Sequence, residues 1–452
     1  MSNTEIIDLT LSSSEFENLY SRKKIVSFMT LGCKVNQYET EAMEELFKKD
    51  GYEVRTFEEF ADVYVINTCT VTSMSDKKSR QIIRRAKKKN PNAIVAVVGC
   101  YSQASPDEVL GIEGVNLVMG TKDRSDIVNQ INKLSQDQKA SFVEDIMKVR
   151  EFEELGIEET TGKTRAFIKI QEGCDRFCSY CIIPYTRGPV RSRKLENIIA
   201  EVKLLGEKGF KEVVLTGIHV ASYGKDLKDT NLIDVLTSIE ELDVIERVRL
   251  SSVEPLMMTE EFVAKLKGLK KICPHFHLSL QSGCDETLKR MNRRYDTSIY
   301  RTIAKRLREN FEDVSLTTDV IVGFPGETEE EFESTRKFLE EINLYQMHIF
   351  KYSIREGTPA ATMENQVNPE IKNKRSDILF EIDKKNRLEF EEKFVGRQMD
   401  VLFEKALEDG IYEGLTKNYM RILVNSTEDL EGQIRVVEIK KINEDHLEGI
   451  LL

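Results

Sequence analysis

Between residues 24 and 100 the chain alternates short apolar runs with longer stretches of helical period. KIVSFMTLGC is a β-branched and aromatic run, and NQYETEAMEELFKKDGY after it reads as a helix stopped at Gly51. ADVYVINTC and NAIVAVVGC repeat the run, with a basic helix between them. Apolar runs separated by helical stretches predict parallel strands joined by crossovers. Residues 130–163 are polar and charged, which predicts a helical linker or bridge. A second α/β region follows over about 164–385, with strands predicted at AFIKI, EVVLTG, RVRLSS, HFHLSLQ, SLTTDVIVGF and QMHIFKYS. Six strands predict a β/α barrel left open, since closure takes eight. Residues 370–394 read as one long charged helix. From 395 the period shortens to that of strands, in RQMDVLFEKA, GIYEGLT, NYMRILVN and GQIRVVEIKKI. The expected fold class is α/β: a parallel-sheet domain over 22–150, an open (β/α)6 partial barrel over 164–385, and a small β-barrel over 388–452.

A length of 452 residues fits about three domains. No run of eighteen apolar residues reads as a membrane span, and the N-terminus has no apolar signal segment. The expected compartment is the cytoplasm, with no membrane partner. Net charge is -12, which argues against broad, non-specific nucleic-acid binding. Two local basic stretches change that picture. KKSRQIIRRAKKK (77–89) holds eight Lys or Arg and no acid, and TRGPVRSRK (186–194) holds four. Each reads either as a solvated basic face or as an RNA footprint, with Arg84 and Arg85 the candidate contacts.

Eight cysteines in a chain of this size point to metal or redox chemistry rather than a disulfide framework. Cys33, Cys69 and Cys100 each close a predicted strand. Parallel strands present such ends on one sheet edge, where α/β folds bind ligands, so the three converge. GCDRFCSYC places Cys174, Cys178 and Cys181 just after the first strand of the second region. Three thiolates at that spacing suit three irons of a cubane and leave a fourth iron open. Zinc is the alternative, but knuckle pairs with a fourth ligand are not evident. An iron–sulfur cluster used only for electron transfer, in a non-catalytic or RNA-binding protein, is another.

GCDRFCSYC, with Tyr180 before its last cysteine, resembles the signature of the radical S-adenosylmethionine superfamily over roughly 164–385. The resemblance implies a [4Fe-4S] cluster whose open iron binds S-adenosyl-L-methionine and cleaves it reductively. It also implies cofactor contacts: Thr216 and Gly217 in LTGIHV, Ser279 and Gln281 in HLSLQSG, and Gly323, Pro325, Gly326 and Glu327 in VIVGFPGETEEEF. Together with TLGCKVNQYET, INTCTVT and VVGCYSQ, the whole of 24–452 resembles the methylthiotransferase family, whose all-β end is the RNA-binding TRAM domain. That implies a second [4Fe-4S] cluster on Cys33, Cys69 and Cys100, a sulfur source and an external electron donor. Cluster-borne chemistry needs no acid–base pair, and none is nominated. TLGCKVNQYETEAM and NTCTVTSMSDKKSRQ are most similar to the branch that converts N6-threonylcarbamoyladenosine beside the anticodon of tRNA to its 2-methylthio derivative. One departure stands out. Residues 388–452 hold eight Lys or Arg against fifteen Asp or Glu, an acidic module for a phosphate-gripping role. An acidic module suits a basic protein better, which keeps a ribosomal-protein aspartate open as substrate; isopentenyladenosine in tRNA is a further alternative. The oligomeric state is left open as well.

Cys273 and Cys284 are read as bystanders, and His219 as a pocket-wall histidine. Metal binding by His275 and His277 is weighed against simple alternation on one strand.

Overall fold

The computed structural model describes residues 7–71, 73–156, 164–408 and 410–452. Its first sheet is built from β1 (Ile25–Thr30), β2 (Glu53–Arg55), β3 (Val63–Thr68), β4 (Ile94–Gly99), β5 (Leu117–Met119) and β6 (Ala140–Phe142). All are parallel, in the order β2-β1-β3-β4-β5-β6. β3 and β4 are buried on both faces, which is why their sequences are continuous apolar runs rather than alternations. Helix Lys34–Lys49 covers one face with Val35, Ala42, Met43 and Phe47.

Two expectations change here. Of the expected helical linker or bridge over 130–163, the described residues 133–156 are not helical in that way, because the helix Ile127–Asn132 ends early and β6 adds a strand to the sheet. β6 has only three residues and none of them is buried, so periodicity could not reveal it. Residues 157–163 lie outside the described residues. Residues 7–21, left outside the first expected domain, are also structured. Helix Ser13–Tyr20 starts on a Ser12–Glu15 capping box, and Leu9 and Phe16 are buried in the sheet's core.

The second region has β7 (Arg165–Glu172), β8 (Arg191–Ser192), β9 (Glu212–Gly217), β10 (Arg247–Leu250), β11 (His275–His277), β12 (Ser315–Val322) and β13 (Gln346–Lys351). The six predicted strands are all present, and β8 adds a short antiparallel partner to β7. Sheets β10-β9-β7-β8 and β11-β12-β13 are joined by the bridges Val248↔Ile272 and Val253↔Leu278. The result is a curled sheet, open between β7 and β13. Helix Pro369–Glu391 is the long charged helix of the sequence.

β14 (Gln398–Glu408), β15 (Ile411–Thr416), β16 (Arg421–Asn425), β17 (Ile434–Ile442) and β18 (Leu447–Leu451) close into a barrel. β18 was not legible as a strand, since LEGIL is short and half exposed. The barrel sits under the open sheet. Arg249, paired with Glu212, donates to the carbonyls of Lys417 and Thr416, and His275 stacks on Tyr419 at 4.4 Å. Among the described residues, no helix is long and apolar enough to cross a membrane.

Candidate active site

The N-terminal cysteines lie where the strand pattern predicts. Cys33 caps helix Lys34–Lys49 after β1, Cys69 follows β3, and Cys100 opens a short helix after β4. Register aligns these ends, with Thr30 opposite Asn67 and Thr68 opposite Gly99. The fit is close. A Cβ on Gly32, whose φ is +103°, would stand 2.7 Å from Cβ of Cys69 and 2.9 Å from its Sγ. Only glycine lets the Cys33 loop pass Cys69 at that distance.

The central cysteines occupy a loop after β7. Cys181 N–H donates to the carbonyl of Cys178 at 2.9 Å, and Ser179 Oγ donates to the carbonyl of Arg290 at 2.7 Å. Tyr180 packs edge-on to Phe324 at 6.4 Å, joining this loop to the glycine turn after β12.

Burial pushes the thiols of Cys69 and Cys100 up, Cys100 to about 12, and Cys174 and Cys181 rise to about 11 and about 12 for the same reason. Neighbouring cysteines add to each rise. Such thiols hold their protons until a metal displaces them. A single zinc ion would draw its sulfurs to roughly 4 Å apart, given Zn–S bonds near 2.3 Å. Among the described residues the one group of three His, Cys, Asp or Glu ligand atoms all within 4.8 Å is His277, Asp319 and His348. Among the described residues neither cysteine triad has its three sulfurs all within that distance of one another.

Two arginines tie the site together, and the sequence reading missed both. Arg187 Nε donates to Cys100 Sγ at 3.2 Å, and Arg293 Nη1 donates to Cys178 Sγ at 3.3 Å. Arg187 is wholly buried and also bonds Asn36 at 2.5 Å, Glu39 at 2.6 Å and Glu172 at 3.2 Å. Glu39 meets Arg124 and Lys169 as well, and these cations hold its carboxyl well below the usual range despite the cost of burial. Gly188, next in sequence, accepts the N–H of Cys174 at 3.0 Å. Adjacent residues therefore touch both cysteine sets. The stretch 186–194 is thus no RNA-facing loop: Arg187, Arg191 and Arg193 are buried, and Arg193 pairs with Glu154 and Glu201.

The other predicted contacts fall on the upper rim of the open barrel. Thr216 is buried at the end of β9, and Gly217 lies opposite Gln171. The carbonyl of Ser279 accepts from Arg293 at 3.2 Å. Gln281 takes a left-handed φ of 74° and is held by backbone bonds to Asp319 and Ile321. In the glycine turn, Gly323 N–H donates to Glu327 at 2.6 Å, Pro325 accepts from Arg290 at 3.3 Å and Gly326 N–H donates to the carbonyl of Asn365. Glu327 is buried and paired with Arg375 at 2.6 Å, so its carboxylate braces the turn. His219 is satisfied by Ser222 at 2.8 Å and Glu254 at 3.0 Å. Cys273 faces Glu212 and Cys284 faces Glu286.

A cleft of ≈ 550 Å³ is lined by Asp76, Arg80, Gln103, Ile182, Tyr185 and Arg355; no cysteine lines it, although Ile182 follows Cys181 in sequence and Gln103 lies in the helix that Cys100 opens. Helix Ser73–Lys89 leads away from it. Arg84 and Arg85 are both exposed there, but Arg85 is paired with Glu58 and lies 5.6 Å from the Phe57 ring.

Comparison with known proteins places this geometry. Residues 168–339 match the model of the radical SAM superfamily, and residues 25–120 match one described as uncharacterized protein family UPF0004. The threonylcarbamoyladenosine tRNA methylthiotransferase MtaB of Bacillus subtilis (strain 168) is 44% identical, covering 94% of this chain and 95% of that protein. Its namesake from Aquifex aeolicus (strain VF5) is 42% identical over 91% and 99%. A tRNA-2-methylthio-N(6)-dimethylallyladenosine synthase of Clostridium botulinum (strain Loch Maree / Type A3) is 36% identical over 93% and 95%. Among solved structures, the radical S-adenosylmethionine methyltransferase TsrM of Kitasatospora setae, with cobalamin and a [4Fe-4S] cluster bound, shares the fold. Its TM-score is 0.56 at 16% identity, over 75% of this chain and 77% of that one.

Fold and site together define a radical S-adenosylmethionine enzyme that uses this cofactor with iron–sulfur chemistry. Within that class the chain belongs to the methylthiotransferase family, in its threonylcarbamoyladenosine tRNA branch.

Proposed function

We propose that the chain acts in the cytoplasm on tRNA, placing a methylthio group on carbon 2 of N6-threonylcarbamoyladenosine beside the anticodon, with two [4Fe-4S] clusters. The observation that carries the two-cluster reading is the junction at Arg187–Gly188, where one residue touches Cys100 and the next touches Cys174. When bound, the central cluster with S-adenosyl-L-methionine supplies one-electron chemistry, and the N-terminal cluster supplies the sulfur.

The chain's own residues hold and orient these groups. Cys174, Cys178 and Cys181 are the ligands of the central cluster, and Cys33, Cys69 and Cys100 those of the auxiliary one. Arg293 and Arg187 each offer a guanidinium N–H to one ligand sulfur, which draws charge from it and tunes the cluster. Tyr180, Thr216, Gly217, Ser279, Gln281 and the turn from Gly323 to Glu327 shape the cofactor's seat. The cleft at Ile182 and Gln103 admits the flipped base, and the face of Arg84 meets tRNA phosphate. An external reductant and a sulfur source complete the turnover.

The test is nucleoside mass spectrometry of tRNA from cells with and without the protein. Loss of the 2-methylthio nucleoside with accumulation of its threonylcarbamoyl parent is expected. An unchanged nucleoside, with loss of a methylthio group from a ribosomal-protein aspartate or from isopentenyladenosine in tRNA, would overturn the assignment.

A further inference from the structure

Lys34 follows auxiliary ligand Cys33 in sequence but does not face the cysteines' other neighbours. Its ammonium lies 5.6 Å from the ring of Phe167, on β7 at the open side of the barrel. Arg165 and Arg249, the other cations nearby, are spent on Glu404 and Glu212. Among the described residues no carboxylate forms a salt bridge with Lys34, although Glu212 and, across the lumen, His348 lie within electrostatic reach of its ammonium. Toward the lumen's far wall, β11, β12 and β13 present His277, Asp319 and His348.

That trio is incompletely satisfied. His277 Nε2 is 3.3 Å from Asp319 Oδ2 and His348 Nδ1 is 3.4 Å from Asp319 Oδ1. Charge-assisted hydrogen bonds close to about 2.7–2.9 Å. His277 is 8% exposed, and its buried Nε2 meets only Asp319, at a long distance of 3.3 Å. Asp319 is flanked by two imidazoles, and with Asp383 it favours the protonated, cationic form of His348. His348 is exposed to the lumen, and with Nδ1 toward Asp319 its Nε2 is on the other side of the ring. The open barrel thus offers an unpaired cation and imidazole donors where an apolar group would leave the ammonium desolvated and unpaired.

We propose that Lys34 and His348 form a subsite for a carboxylate carried by the adenine to be modified. This rests on the functional reading above, in which that carboxylate is the threonyl one. Carbon 2 and carbon 6, which bears N6, flank the same ring nitrogen, so the N6 substituent and carbon 2 share one edge of the base. A base that enters by the cleft and presents carbon 2 to the auxiliary site can therefore direct its N6 substituent to the barrel's open side, where the Lys34 ammonium lies beside Phe167. The subsite selects the acidic modification over an uncharged one. A dimethylallyl group, the substituent named for the Clostridium botulinum relative, has nothing to offer the ammonium.

The test uses cluster-loaded enzyme and an anticodon stem–loop bearing threonylcarbamoyladenosine, beside the same RNA with the threonine as its carboxamide. Binding is read by fluorescence anisotropy without reductant, and methylthiolation separately by mass spectrometry. Wild type should favour the acid about ten- to hundredfold, the worth of one hydrogen bond to a charged group. Lys34→Met should abolish that preference by weakening the acid alone, Lys34→Arg should keep most of it, and His348→Gln should reduce it. Equal binding of acid and amide by wild type overturns the proposal, as does a fully iron-loaded Lys34→Met that keeps the preference. Should Lys34→Met lose iron, His348→Gln decides, because His348 is remote in sequence from every cysteine, and an unchanged preference there overturns the subsite. If wild type shows the acid preference in binding but methylthiolates neither RNA, the functional reading falls while the subsite stands.

Discussion

Replacing Arg187 with Met removes the cation that joins the two sheets at the site while keeping a side chain of similar reach. The wild-type guanidinium is wholly buried and makes bonds to Glu39 at 2.6 and 3.1 Å, Glu172 at 3.2 Å and Asn36 at 2.5 Å. Breaking one side of a buried ionic network costs about 3–5 kcal/mol because charge is left unpaired. Here neither acid is orphaned: Glu39 keeps Arg124 and Lys169, and Glu172 keeps Lys169 at 2.9 Å. The expected loss is therefore at the low end, about 3 kcal/mol. Urea unfolding of the cluster-free protein measures it, followed by circular dichroism because the chain has no tryptophan. Arg187→Lys should recover part of the loss through Glu39. A change under about 1 kcal/mol, the range of exposed pairs, would refute the claim that this network holds the two sheets together.

Gly32→Ala should break the auxiliary site alone, since its Cβ would overlap Cys69 and its backbone is left-handed; iron analysis should fall from about eight to about four per chain, the content of one cubane. Reversing Arg84 to Glu should weaken tRNA binding and reduce the salt slope by about 0.9 for each phosphate no longer neutralised, whereas Arg85→Glu should do less because Glu58 already holds it; equal effects from both would contradict the assignment. Glu39, with its pKa depressed by Arg124, Arg187 and Lys169, stabilises the fold above the ordinary carboxylate pKa. That stability is lost only as pH falls through the depressed folded value, so acid titration of the cluster-free protein should show wild type losing stability below about pH 4 that Glu39→Gln lacks at every pH.

The cysteines and the six strands of the open barrel were legible because their signals are local: a strand end, a fixed spacing, a continuous apolar run. What the sequence hid depends on partners far along the chain. Arg187 sits in a stretch that reads as a basic loop, yet its burial follows from Glu39, 148 residues away. Arg293, in an otherwise ordinary RRY, is recruited by Cys178, 115 residues away. The trio His277, Asp319 and His348 spans three strands, so no spacing within one segment announces it. Basic composition also overstated the RNA face. Within 77–89, Arg80 is bound to Tyr101 and Glu108, and Lys87 to the carbonyl of Ala93, so fewer charges than eight point to solvent.

The central claim is the division of labour between the two cysteine sets, and paired triple variants test it most directly. Each is reconstituted, checked for iron and fold, and supplied with S-adenosyl-L-methionine, reductant and substrate tRNA; 5′-deoxyadenosine and the 2-methylthio nucleoside are then quantified by chromatography and mass spectrometry. Replacing Cys174, Cys178 and Cys181 with Ala should abolish deoxyadenosine and product together. Replacing Cys33, Cys69 and Cys100 should leave deoxyadenosine formation and abolish the methylthio product. A folded N-terminal variant that still makes full methylthio product, or a folded central variant that still forms deoxyadenosine, would contradict the account.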